Sequence, residues 1–119
     1  MAYLLDKPIF SIISKWGAKL IYYEQYGDPN RPTILLLHGA MAVHTFSQQY
    51  NLLKEYHLVL PHLYGAGNSV EMLYEPEKLS QEIVELIRSL NKPTVGIIGH
   101  SIGAQLAVKL VSENPELFS

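Results

Sequence analysis

The sequence predicts an α/β protein: a mostly parallel sheet with helices on both faces, in the order β-β-β-α-β-α-β-α. Short apolar runs at 33–37, 58–60 and 94–98 suit strands covered on both faces. Between and after them, apolar residues recur at helical spacing. Turn chemistry separates the segments, densest at Gly27-Asp28-Pro29-Asn30-Arg31-Pro32 and again at Asn91-Lys92-Pro93 and Asn114-Pro115.

The elements follow in order. Residues 9–14 and 19–25 are β-prone and flank a turn at 15–18, which predicts an antiparallel hairpin. The run 33–37 predicts a central strand, followed by His38-Gly39-Ala40. Val43, Phe46, Tyr50 and Leu53 share one face of a helix over 43–54. A short strand at 58–60 leads into Pro61 and the glycine-containing loop 62–69. His57, just before that strand and at the end away from the loop, is expected at the surface.

The next helix has the clearest signature. Pro76 suits its first turn, Glu75 and Glu77 suit the positive end of its dipole, and Leu79, Ile83, Leu86, Ile87 and Leu90 line one face. After the strand at 94–98, residues 102–112 are apolar nearly all round, which predicts a covered central helix. Parallel strands joined this way bind ligands at their carboxyl ends. The loops at 38–42, 61–69 and 99–103 lie there.

The gross numbers exclude several functions. A chain of 119 residues is one domain or a piece of one. Nine basic and eleven acidic residues give a net charge of −2, with no basic cluster, so nucleic-acid binding is not expected. The absence of cysteine excludes disulfides and thiolate chemistry. No apolar run approaches the roughly 20 residues a membrane helix needs, and the first residues lack a signal-peptide pattern. A soluble, cytoplasmic protein is the expectation. The histidines lack metal-ligand spacing, so no metal site is read from them.

One constellation carries chemistry. Gly99-His100-Ser101-Ile102-Gly103 matches G-x-S-x-G between an apolar strand and an apolar helix. A strand that turns sharply into a helix projects the serine hydroxyl outward, and the flanking glycines allow the close approach. The competing structural reading makes Ser101 a simple N-cap.

With Leu36-Leu37-His38-Gly39, the loop Tyr64-Gly65-Ala66-Gly67-Asn68-Ser69 and the opening hairpin, the chain resembles the α/β-hydrolase family along most of its length. The resemblance implies Ser101 as nucleophile. It implies an oxyanion hole from the backbone N–H groups of Ala40 and Ile102, with His38, Gly39, Gly99, His100 and Gly103 supporting the loops. It also implies a small-molecule acyl substrate and no metal or organic cofactor, because such a reaction needs only the triad, the oxyanion hole and water. The family often has an Asp where this chain has His62.

In the family, an acid and then a His follow the nucleophile. Residues 102–119 hold Glu113 and Glu116 and no His. The expectation is therefore a partial domain over 1–119, ending after the helix that follows Ser101, inactive alone, and either a fragment or a truncated product. Alternatives are lyase, perhydrolase or C–C hydrolase chemistry on the same site, or a non-catalytic module that self-associates through an exposed strand edge. Met41, Phe46 and Tyr64 are candidates for a pocket wall, with core packing as the competing reading. Of the remaining histidines, His44 is expected in a non-catalytic role.

Overall fold

The computed structural model describes residues 9–13, 19–39, 46, 55–63 and 75–119. Strands β1 (Ile9–Ile13) and β2 (Lys19–Tyr26) form the antiparallel hairpin. The hairpin docks through β2, antiparallel to β4 (His57–Pro61). Strand β4 lies parallel to β3 (Thr33–Leu37), and β3 lies parallel to β5 (Gly96–Gly99). The sheet is mixed, with the order β1-β2-β4-β3-β5. The helix expected over 43–54 lies outside the described residues except for Phe46, as do 40–42 and 64–69.

Burial explains why β3 and β4 are central. Leu35, Leu36, Leu37, Leu58 and Val59 are all almost wholly buried, so each strand is covered on both faces. On one face, helices α1 (Pro76–Ser89) and α2 (Ile102–Glu113) close a core around Leu35, Leu37 and Val59. Helix α1 contributes Leu79, Ile83, Leu86 and Ile87, and α2 contributes Leu106 and Leu110. Each such side chain stabilises the fold by about 1.5–3 kcal/mol. Proline at the first helical position starts α1, and Asn91 in the left-handed region (φ 56°) stops it. The opposite face carries a smaller cluster of Tyr26, Leu36, Phe46, Leu58 and Leu60. Phe46 therefore packs in the core; Met41 and Tyr64 lie outside the described residues.

Two expectations need correction. Helix α2 is not covered all round: only Gly103, Leu106 and Leu110 are buried, and Val108 is 70% exposed. An all-round apolar sequence gives no direction to the buried stripe, and among the described residues only one side is packed. Among the described residues, β5 ends the sheet order: it pairs with β3, and Val95 forms a parallel bridge with Phe118 beside the short 3-10 turn Pro115–Leu117.

The second correction concerns His57, which is buried inside β4 rather than at the surface. Its Nε2 lies 2.6 Å from Gln25 Oε1 and its Nδ1 lies 2.9 Å from Thr33 Oγ1. A neutral ring fits both contacts, with Nε2–H donating and Nδ1 accepting from the threonine hydroxyl. Burial, followed by nearby Lys92, lowers its pKa below the usual histidine value of 6.5. The unfolded chain therefore binds this proton more readily than the folded one. Stability is expected to hold above about pH 6.5 and to fall as pH drops from there through the depressed folded value. Denaturant titrations from pH 7.5 to 4.5 should show less of that slope in His57→Gln than in the wild type.

Candidate active site

The parallel strands β3, β4 and β5 bring their carboxyl ends to one edge, so His38-Gly39, His62-Leu63 and His100-Ser101 gather there. At Ser101 the backbone stands at φ 57°, ψ −120°. This region favours glycine and costs another residue about 1–3 kcal/mol. An ordinary N-cap adopts extended dihedrals and hydrogen-bonds the first helical turn. Ser101 does neither: its hydroxyl makes no cap hydrogen bond, and the residue is exposed. The turn is held through the backbone. The His100 N–H donates to the Leu37 carbonyl (3.0 Å), and the Ser101 carbonyl accepts from Ala104 (2.9 Å) and Gln105 (3.2 Å).

The strain has a measurable consequence. Ser101→Gly should be more stable than Ser101→Ala by about 1 kcal/mol, because alanine keeps the Cβ that disfavours this conformation. Thermal melts of the two variants check it.

The glycines allow three backbones to meet. A Cβ at Gly103 would stand 2.2 Å from the Leu37 carbonyl oxygen, so the start of α2 touches the end of β3. A Cβ at Gly99 would stand 2.5 Å from the Gly103 carbonyl oxygen. Gly39 lies against the other side of the turn, where its Cβ would be 3.1 Å from His100 Nδ1 and 3.6 Å from Ser101 Cβ. The 38–39 segment is thus in contact with the serine turn.

His38 secures that segment. It is buried, its Nε2 accepts from the Leu63 N–H (3.0 Å), and its Nδ1 lies 2.5 Å from the Gly39 carbonyl oxygen. Because Nε2 accepts, the ring proton sits on Nδ1 and points at that carbonyl. At the other wall, no acceptor among the described residues takes the N–H of Ile102, the first residue of α2. That donor and the positive end of the helix dipole face the turn. Ala40 lies outside the described residues.

The remaining ionisable groups are placed elsewhere or committed. Glu113 and Glu116 pair with Lys109 and Arg88 around the far end of α2, about 18 Å along that helix from Ser101. His57 sits at the start of β4, opposite the carboxyl edge. His62 is at the right edge but is buried and bonded to Glu24, which also accepts from the Tyr26 hydroxyl (2.8 Å). His44 lies outside the described residues. Among the described residues, no group of three His, Asp or Glu side chains could hold a metal ion, and no helix is long and apolar enough to cross a membrane. Glu24 was not legible in the sequence as part of the site. Its signal was an acidic residue in a strand whose same-face neighbour, two residues on, is the apolar-bodied Tyr26.

No family model matches the chain. The uncharacterized hydrolase YugF of Bacillus subtilis is 28% identical over 104 residues, covering 83% of this chain and 38% of that protein. An AB hydrolase superfamily protein of Gibberella zeae is 31% identical over 100 residues, covering 80% and 35%. Among solved structures, the thioesterase domain from the curacin biosynthetic pathway superposes with a TM-score of 0.78 at 26% identity, covering 94% of this chain and 42% of that one. The chain thus resembles proteins named hydrolases and has part of the α/β-hydrolase fold. It spans about a third to two fifths of the length of the curated relatives it matches.

Proposed function

We propose that the protein is a serine hydrolase that cleaves an ester or related acyl bond through an acyl-enzyme on Ser101. The observation that carries the proposal is the exposed serine turn with positive φ and an uncommitted hydroxyl, closed on one side by Gly39 and on the other by the Ile102 N–H. Named hydrolases among the relatives support hydrolase activity in general.

In the proposed reaction Ser101 Oγ attacks the acyl carbon while a base takes its proton. The carbonyl oxygen becomes an oxyanion facing the amides of Ile102 and Ala40. One such donor is worth about 3 kcal/mol in the transition state. Collapse expels the alcohol, thiol or amine with a proton, and water then hydrolyses the acyl-serine by the same steps. Neither ring nitrogen of His38 or His57 is available, and His62 is tied to Glu24. None of these three rings therefore serves as the base in the proposed reaction.

A fluorophosphonate tests this reading. In the full natural protein, peptide mass spectrometry should find the phosphonyl group on Ser101 alone. An unmodified Ser101 under conditions that label a control serine hydrolase would refute it.

A further inference from the structure

Strand β2 carries a buried ionisable group that the proposed reaction does not use. Glu24 is 2% exposed and accepts from two side chains: the Tyr26 hydroxyl on Oε1 (2.8 Å) and His62 Nε2 on Oε2. His62 is 3% exposed and Tyr26 is 4% exposed. A buried hydrogen-bonded network of this kind restricts its members to one geometry.

That geometry is applied next to the serine turn. The His62 N–H donates to the Tyr22 carbonyl (2.8 Å), so both backbone and side chain of His62 are tied to β2. The next residue, Leu63, gives its N–H to His38 Nε2, and His38 Nδ1 faces the Gly39 carbonyl. Gly39 in turn lies against His100 and Ser101. A continuous set of contacts thus runs from Tyr26 and Glu24, through His62 and Leu63, to the ring of His38 and the loop beside Ser101. The Leu63 N–H fixes the tautomer of His38, and His62 fixes where that N–H points.

We propose that Glu24 and His62, braced by Tyr26, are positioning residues that set the segment His38-Gly39 against Ser101 by holding the Leu63 amide on His38. The proposal rests on the serine-hydrolase reading for its kinetic consequence and on the contacts alone for its structural one. A group acting on oxyanion geometry changes kcat, whereas a group acting on substrate binding changes KM.

The test uses the full natural protein with 4-nitrophenyl acetate as the probe ester. His62→Ala should lower kcat about 10- to 100-fold while KM stays within about twofold. His62→Gln, whose amide can still donate to Glu24, should recover most of that loss. In parallel, the ring nitrogens of His38 are followed by 15N NMR. In the wild type they should show a protonated Nδ1 and a bare Nε2, and in His62→Ala they should average toward each other. If His62→Ala does not fold, Tyr26→Phe removes only the brace, and its His38 signals should shift in the same direction. Unchanged His38 signals in whichever of these variants folds overturn the proposal. So does a kcat that is unchanged, or that falls only in step with a rise in KM. A wild type that takes no phosphonate on Ser101 defeats the hydrolase reading instead, and the His38 signals then decide this proposal alone.

Discussion

Ser101→Ala in the full natural protein is expected to lower kcat for an activated ester by about 10⁴- to 10⁶-fold. The change removes one atom. Alanine keeps the Cβ, so the turn at φ 57° is as strained as before and α2 starts at the same place. The N–H of Ile102 and the contact with Gly39 remain. Substrate affinity should therefore hardly move, and the loss should fall on kcat. Steady-state kinetics with 4-nitrophenyl acetate, alongside a melting curve, separates this outcome from unfolding. A variant with more than a tenth of wild-type kcat would show that the hydroxyl is not the attacking group.

The second large effect concerns a residue that touches no substrate. Gly103→Ala would place a Cβ 2.2 Å from the Leu37 carbonyl oxygen and 2.6 Å from that of His38. Both are backbone atoms, one of them on the fully buried Leu37, so neither can swing aside as a flexible side chain would. Either α2 or the end of β3 must move, and the end of β3 leads into the loop that flanks Ser101. We expect a loss of about 2–4 kcal/mol in stability. For whatever fraction folds, kcat should fall by about 100-fold. Gly96→Ala is the matched control. The nearest atom to its Cβ would be Ile34 Cγ1 at 3.6 Å, an ordinary contact. Its stability should change by less than about 0.5 kcal/mol. Urea denaturation of the two variants reads the difference, and equal stabilities would contradict the close approach of α2 to β3.

Much of this was legible in the sequence because it is local. The strand over 33–37 and the start of α1 at Pro76 appear where apolar spacing, proline and turn residues put them. The site residues from His38 to Gly39 and from Gly99 to Gly103 come together because both segments follow parallel strands that are neighbours in the sheet. What was hidden depends on pairing between distant segments. The contact of His62 with Glu24 spans 38 residues, and it exists only because β2 runs antiparallel to β4. The sequence marks His62 as unusual but does not point to its partner. His57 was misplaced for a similar reason. Its burial is made tolerable by Gln25 and Thr33, which arrive from two other strands. The exposed side of α2 was hidden because Val108 and Val111 look the same in sequence as Leu106 and Leu110, whether or not something covers them.

The whole account depends on the serine turn presenting its hydroxyl to a pocket of amide donors. A crystal structure of the full natural protein after reaction with a fluorophosphonate tests that most directly. The account predicts phosphorus bonded to Ser101 Oγ, with the phosphonyl oxygen about 2.7–3.1 Å from the amide nitrogens of Ile102 and Ala40. An adduct whose phosphonyl oxygen turns toward solvent, with those amides bonded elsewhere, would contradict it.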